Sequence, residues 1–392
     1  MLTSVLLLMA QAGAPPPAPA PADEILVIGQ RIEEELAACI ARGCPPAEEI
    51  ELSLQLSANQ FAEGRYRDAR TTLQRAIRRN RDHAAELPGP VSSMYATLAT
   101  VAEHEGDPNL WRQSARTNME VLRRHVGESH DATLRQELVF GDSMVRQDAY
   151  SIATDAFRAV QRKAAESGNT QLAANALFRR AWLELVQRKD RDALRLADEA
   201  VALAGPHDAV SAEMREIMRM QIAARDGDDG AIDVLAERLR RSATRAPVAL
   251  FAPPFDDINQ ALNLMPNLGN DAELRFADVG FWVRPDGRTA NVAVLRDSGL
   301  GQWAPGILNQ IGRRRYIPLD VQVGHPGVYR IERFTVRGTS SMVVGSRIKR
   351  RAGPLTIHVS DLTETDAMNE AHRQRMQDGS AAPAGAAAAD LL

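Results

Sequence analysis

Hydrophobic residues recur every three or four positions from Ile50 to Arg241, a spacing that predicts a succession of amphipathic helices. Beyond a proline-rich stretch the period changes to two. Val279, Phe281 and Val283 alternate with other residue types, as they do in a strand with one buried face. The change of period predicts two structural units, an all-α unit followed by a smaller α+β unit.

The helical part contains an internal repeat. Small or apolar residues that suit the turn and second helix of a helix-turn-helix unit recur at Ala69, Ala153, Ala193 and Ile232. The interval from 153 to 193 is 40 residues and that from 193 to 232 is 39, while 69 to 153 spans 84, or two units of 42. Such a period predicts a stacked array of helix pairs. The alternative is an irregular helical bundle whose alanine spacing arises by chance.

The order Tyr150, Ala153 and Phe157 resembles the tetratricopeptide repeat, whose usual period is about 34 residues. The longer spacing implies lengthened helices or loops. The resemblance also implies a groove, formed by the first helix of each pair, that binds an extended peptide or a partner helix. By this resemblance the partner-binding residues are Arg135, Asp142, Arg146, Asn175, Phe178, Trp182, Gln221 and Arg225.

The second unit carries an ordered set of motifs. Pro285-Asp286-Gly287 predicts a tight turn between the strand around Phe281 and a return strand from Asn291 to Leu295. A helix with Trp303, Ile307 and Ile311 on one face follows, then Arg315-Tyr316-x-Pro318 and a third strand from Val328 to Val336. This order resembles the TonB C-terminal domain, which implies a small antiparallel sheet crossed by one helix.

The chain also departs from that family. Some 200 residues of helical repeat separate the module from the N-terminus, and the Ala/Pro spacer, Pro15 to Pro21, is short. Two further strand-like runs, Ser341 to Ile348 and Leu355 to Val359, follow the motif. Additional strands at the edge of the sheet would block the edge on which receptor peptides pair. We therefore carry over the fold of the family and not its coupling to an energy source.

The N-terminal residues predict export. Leu2 to Ala14 carries no charge, and its length as a helix, about 20 Å, falls short of the roughly 30 Å hydrocarbon core. That length is typical of a signal peptide. Cleavage after Ala14 or after Ala22 is compatible with the small residues there, and Pro15 disfavours the first. An uncleaved segment that anchors the chain is the alternative.

Cys39 and Cys44 are the two cysteines of the chain. Gly43 and the prolines that follow end any helix there, so the chain can turn and bring the sulfurs together. We predict a disulfide in an oxidising compartment, worth about 2 kcal/mol because the loop is small; two free thiols are the alternative. The run from Asp23 to Arg31 looks strand-prone.

Charge and motifs add mostly exclusions. A net charge of −4 gives no reason to expect nucleic acid or an anionic membrane as a partner. We find no recognised catalytic, cofactor or metal motif, and we expect no catalytic, cofactor-binding or metal-binding residue. Asp226 to Gly230 is interpreted as a polar turn, and Arg313-Arg314-Arg315 as cations that favour a helix C-terminus. Arg347 to Arg351 is interpreted as an exposed hairpin charge run.

These predictions combine into a non-catalytic, exported interaction protein of the bacterial cell envelope, like those of sphingomonad-type bacteria. Its partner is an envelope protein or peptide, which includes components of outer-membrane transport. The alternatives are a TonB-like energy transducer and an envelope enzyme with an unrecognised site. The expected divisions are 1–22 (signal peptide and Pro/Ala tract), 23–49 (lead-in with the cysteine pair), 50–242 (tetratricopeptide-like array), 243–275 (linker), 276–362 (TonB-like domain) and 363–392 (disordered tail).

Overall fold

The fold was analysed on a computed structural model, which describes residues 22–146, 148–205, 207–225, 229–239, 247–255, 258, 274–322, 324–342 and 349–363. The predicted signal peptide and tail lie almost wholly outside these residues. The helical part consists of α1 (Ala22–Arg42), α2 (Pro46–Ala62), α3 (Tyr66–Asn80), α4 (Pro88–His104), α5 (Pro108–His125), α6 (Asp131–Val145), α7 (Tyr150–Glu166), α8 (Thr170–Val186), α9 (Asp190–Ala204), α10 (Ala209–Arg225) and α11 (Asp229–Leu239).

The helices pack as consecutive pairs, α2 with α3, α4 with α5, α6 with α7, α8 with α9, and α10 with α11. The turn within a pair contains one residue in the left-handed region, at Gly64, Gly106, Asp148 and Arg188, and the second helix starts two residues later. These turn residues are 42, 42 and 40 positions apart. The pair α4 and α5 therefore fills the 84-residue gap in the sequence pattern.

Alanine allows the helices of a pair to approach closely. Ala69, Ala153 and Ala193 each lie five residues after their turn residue, and all three are fully buried. A larger side chain at these positions would push the second helix away from the first. The alanine spacing therefore marks three of the four turns, and the buried Trp111 occupies the equivalent position in the pair α4–α5.

The strand prediction for Asp23 to Arg31 is wrong, because these residues belong to α1. The run continues into a segment rich in Glu and Ala, which are good helix formers, and Leu36 and Cys39 are buried where α1 packs on α2. The helical part thus begins before residue 50. Cys39 and Cys44 lie at disulfide distance, with Cα atoms 5.1 Å apart, so the predicted bridge is geometrically satisfied.

The C-terminal unit is a small antiparallel sheet with one helix on it. Its elements are β1 (Ala249–Phe251), β2 (Arg275–Val283), β3 (Thr289–Ser298), α12 (Ala304–Gly312), β4 (Arg315–Tyr316), β5 (Val328–Met342) and β6 (Lys349–Asp361). The strand order is β3-β2-β5-β6, and β1 pairs separately with β4. The stretch predicted to be a linker thus contains a strand: β1 has sheet partners and packs on α10 and α11.

The predicted turn between β2 and β3 forms. Gly287 has φ +76°, and Tyr316 N donates a 2.8 Å hydrogen bond to its carbonyl. A Cβ on Gly287 would lie 2.1 Å from the carbonyl oxygen of Tyr316, so only glycine fits. The first of the two additional strand-like runs begins with Ser341 and Met342, which are the last two residues of β5. The rest of that run lies outside the described residues. The second run is in β6, where Ile357 pairs with Val336 of β5.

The sheet has two different faces. Toward α12 it is apolar: Val279, Phe281 and Val283 of β2 are buried against Ile307 and Ile311. The opposite face is turned toward the ends of the first helices of the array, where Phe276 and Asp278 of β2 are also buried. This second face positions the residues described next.

Candidate functional site

The C-terminal unit contacts the helical array at both of its ends. At the first end, the opposite face of the sheet meets the turns of α2–α3 and α4–α5. At the last end, β1 packs on α10 and α11. The two contacts differ in chemistry: the first is built from charged and polar side chains and the second from apolar ones.

Arg333 on β5 is the centre of the first contact. Its side chain is fully buried, and its Nε and Nη2 donate to the two carboxylate oxygens of Asp278 at 2.7 and 3.0 Å. The same guanidinium donates to the carbonyl of Phe61 at 2.7 Å, to that of Ala62, and to the hydroxyl of Tyr66 at 2.9 Å. The carbonyls at the end of α2 lack helical partners, and a cation there also interacts favourably with the helix dipole. Arg333 thereby ties the array to the sheet.

A second arginine completes this cluster. Arg296 on β3 donates to Asp278 Oδ2 at 2.9 Å and to the carbonyls of Ala62 and Glu63. Phe276 stacks beneath both guanidinium groups and reaches the turn at Gly64, where a Cβ would lie 2.7 Å from its ring. Two cations therefore share one carboxylate and the end of one helix.

His104, the last residue of α4, forms the adjoining part of the contact. It is fully buried, with Nε2 2.7 Å from Thr335 Oγ1 and its ring 5.1 Å from that of His358 on β6. Burial lowers the pKa of His104 well below its usual value, and nearby cations add to the effect. Burial likewise lowers the pKa of His358 to about 4, assisted by Arg337. Both histidines are thus neutral in the docked state.

The last end of the array is apolar by comparison. Leu250 of β1 and Ile317 are buried against Ile217 of α10 and Leu235 of α11. Gln221 Nε2 donates to the carbonyl of Leu250 at 2.9 Å. This contact holds the C-terminal unit to the last helix pair.

Between the two ends, the same positions of the first helices are exposed. In the first two pairs the residue two positions before the turn residue, Ala62 or His104, contacts the sheet. In the next two pairs the residue at that position is Arg146, at the end of α6, or Val186, on α8. Val186 is 45 % exposed, and Trp182, one helical turn earlier, is 39 % exposed. We call the surface formed by these positions of α2, α4, α6, α8 and α10 the first-helix face. Its middle part presents the exposed apolar side chains of Val139, Trp182 and Val186 beside charged residues, and the described residues leave these three side chains exposed.

The residues expected to bind a partner are mostly engaged with neighbouring helices. Arg146 pairs with Glu103 of α4 at 3.2 Å, and Asp142 with Arg179 of α8 at 3.0 Å. Burial raises the pKa of Asp142, opposed by Arg179. The other placements are Arg135 with Asp131 at 3.2 Å, Asn175 with Arg179, Arg225 with Asp190, Gln221 with Leu250, Phe178 buried, and Trp182 exposed.

The interpretation of Arg314 as a cation at a helix end is wrong. Arg314 is buried, donates to Glu332 Oε2 at 2.7 Å and lies over the rings of Phe281 and Phe334. It is therefore a buried ion pair beneath α12. The run at Arg347 falls outside the residues whose side chains the structure describes.

A cleft of about 720 Å³ opens where the first helix pair meets the sheet. Arg65, Arg67 and Arg275 line it together with Asp68 and Glu105. Because both signs of charge alternate around its rim, the cleft has no clear preference for a ligand of one charge.

Comparisons with known proteins leave the family open. No protein-family model matches the chain, and no curated protein matches it. The chain is similar to BtubC (BKLC) from P. vanneervenii, known from a crystal structure, with a TM-score of 0.44 and 14 % identity over 56 % of this chain and 89 % of that one. At that TM-score the likeness supports no statement about fold or function. Among the described helices, none combines the length and apolarity needed to cross a membrane.

Sequence reasoning missed the residues that make the first contact, namely Arg333, Asp278, Arg296, His104 and His358. Asp278 precedes the strand pattern by one residue, and Arg333 lies within the predicted third strand. The available signal was a charged residue inside a predicted strand of the C-terminal unit. Such a residue indicates a contact of that strand with another part of the chain, here the helical array.

Proposed function

We propose that this protein is an exported, non-catalytic interaction protein of the bacterial envelope, whose first-helix face binds a protein partner at its middle pairs. One observation supports it above all. At the ends of the array this face already binds a folded unit, the C-terminal sheet, while at the middle pairs the equivalent positions, Arg146 and Val186, are exposed, and Val186 lies one turn from the exposed Trp182. An exposed apolar surface flanked by polar residues is typical of a site for a protein partner.

The surface suits a peptide or helix with apolar anchors. Trp182 and Val186 on α8 are one turn apart, and Val139 on α6 is 47 % exposed. The ion pairs of Asp142 with Arg179 and of Arg146 with Glu103 flank them. A tetratricopeptide-like array uses the first helices of its pairs for such ligands, which agrees with this assignment.

The C-terminal unit, which we take to be a TonB-like module, offers the edges of β3 and β6 to a peptide strand or a cell-wall ligand. β6 covers the edge of β5, so an added strand would pair with β3 or with β6 itself. Val294 and Leu295 on β3 are about two-fifths exposed. The occupied β5 edge disfavours the energy-transducer alternative.

Photo-crosslinking in cells tests the proposal. A photoreactive residue in place of Trp182 is expected to capture a partner, whereas the same residue in place of Ile152 is not. Ile152 is the matched control, because it is 49 % exposed but lies on α7, a second helix. The double variant V139E/V186E should abolish the capture. Equal capture from both positions, or none from Trp182, would overturn the assignment.

Export is tested separately. The N-terminal residue of the mature protein should lie after the predicted signal peptide, and Cys39 and Cys44 should resist alkylation until a reductant is added. An intact Met1 in the membrane fraction would contradict export and favour the anchored alternative.

A further inference from the structure

Four arginines on β5 or beside it have buried guanidinium atoms, and they differ in their partners. Arg330 forms an ion pair with Asp361. Arg333 pairs with Asp278 and Arg314 with Glu332, each at 2.7 Å. A buried cation is normally paired in this way, because desolvation of a lone charge is costly. Arg337, the fourth, has no such partner among the residues that the structure describes.

Arg337 lies at the edge of the contact between the sheet and the array. Its Nη1 is 3.4 Å from the point where a Cβ on Gly106 would lie, so it packs on the α4–α5 turn. Its Nε is buried without a hydrogen-bond partner. No carboxylate oxygen of the described residues forms a salt bridge with it, and burial lowers its pKa, opposed only by Glu103.

Glu103 is already engaged elsewhere. Arg146 Nε and Nη2 donate to its two oxygens at 3.2 and 3.3 Å. Glu103 therefore forms its hydrogen bonds with Arg146 and interacts with Arg337 through its charge alone, so one carboxylate serves two guanidinium groups and one positive charge is in excess. The ring of His358 lies in the same field, since Arg337 and Arg146 both lower its pKa while Glu103 raises it.

We propose that Arg337, with Arg146 and His358 beside it, forms a binding site for a single carboxylate carried by the partner peptide. The inference rests on the proposed function and adds the chemistry of one ligand group. A carboxylate brings one negative charge and accepts two parallel hydrogen bonds from a guanidinium. A phosphate carries about −1.5 to −2 charges at neutral pH and would leave the site with a negative excess. Arg146 belongs to the first-helix face, so the site is continuous with the exposed surface at Trp182.

The test uses the full chain at pH 7 with acetate as the probe, and inorganic phosphate at equal ionic strength for comparison. Acetate is expected to shift the Nε–Hε NMR signal of Arg337 and the ring signals of His358 in a saturable manner. R337Q should weaken acetate binding by at least about tenfold. R284Q, an exposed arginine on the turn after β2, should leave it unchanged. No saturable shift, or equal shifts in R337Q, would overturn the inference.

Two further measurements keep the outcome clear. R337K retains the charge without the planar fork, so its acetate affinity should fall between those of the wild type and R337Q. Thermal unfolding should show R337Q to be at least as stable as the wild type, because the substitution removes an unpaired buried cation. Tighter binding of phosphate than of acetate would contradict the carboxylate assignment. If crosslinking at position 182 succeeds while acetate fails to bind, this inference fails and the proposed function stands.

Discussion

The two faces of the C-terminal sheet are built from different chemistry. The face toward α12 buries aliphatic and aromatic side chains, such as Val279 and Phe281 against Ile307. The face toward the array buries charges and polar rings, such as Arg333, Asp278 and His104. The first face makes a domain core that needs nothing from the array. The second depends on paired charges, above all Arg333 with Asp278.

This difference has a physical origin. Apolar burial is non-directional and proportional to area, so small shifts of α12 cost little. The guanidinium of Arg333 instead needs Asp278, Tyr66 and the last carbonyls of α2 at once. A buried charge that loses one partner is left with an uncompensated desolvation cost. Docking should therefore respond sharply to single charges, and the domain core should not.

Removal of the shared carboxylate should have the largest effect. D278A leaves Arg333 and Arg296 without their counter-ion, and we expect a loss of about 3–5 kcal/mol from the docked state. Small-angle scattering and limited proteolysis should show the sheet released from the first helix pair. D286A, on an exposed turn, is the matched control. Retention of the docked form in D278A would show that the apolar contact at α10 and α11 suffices. The double variant D278L/R333M should recover much of the loss.

Truncation on the other face should act on the domain core alone. Ile307 is fully buried beneath α12, and I307A should destabilise the C-terminal unit by about 2–4 kcal/mol through the lost burial and the cavity left behind. Urea unfolding followed by tryptophan fluorescence should report this loss, with the helical array unfolding as before. V294A, at an exposed site of β3, is the control. An equal loss of array stability in I307A would mean that the two units fold together.

The sequence allowed the apolar face to be predicted and concealed the polar one. Val279, Phe281 and Val283 show the period of a strand, and Trp303, Ile307 and Ile311 show that of a helix. Periodicity detects burial on one side of a single element. Arg333 instead meets Phe61, 272 positions away, and no local pattern reports a contact between two units.

The same limit applies to the first-helix face. The resemblance to the tetratricopeptide repeat assigns residues such as Arg146 and Trp182 to it, and they lie at the C-terminal end of α6 and on α8. Whether each was free depended on Glu103 and Arg179, which come from neighbouring helices. The sequence alone therefore predicted the surface and not which of its residues were already paired.

Acidification should weaken the polar face and spare the apolar one. The pKa of His358 is about 4 in the docked state against an ordinary value near 6.5. The separated state therefore binds the proton more readily, and the stabilisation is complete above pH 6.5 and lost as the pH falls toward 4. At pH 5 this histidine alone should cost about 2 kcal/mol. His104, whose pKa is also lowered by burial, adds to the loss.

The measurement is the urea midpoint for separation of the two units at pH 7.5 and pH 5. H358Q carries no proton to gain, so it should flatten this dependence while leaving the remaining contacts of β6 in place. A wild-type midpoint that does not change between the two pH values would show that the histidines do not report on docking.

The smallest effect concerns one contact at the edge of the polar face. Gly64 and Gly168 both adopt positive φ, at +83° and +78°, so alanine costs each about 1–2 kcal/mol through its backbone conformation. They differ in surroundings: a Cβ on Gly64 would lie 2.7 Å from the ring of Phe276, whereas nothing lies within 4 Å at Gly168. G64A should therefore lose at least about 1 kcal/mol more than G168A, because the ring must move. Since Phe276 also stacks under Arg333, that excess should disappear in D278A, where the sheet has already been released. An excess that persists there would place the strain within the first helix pair and not in its contact with the sheet.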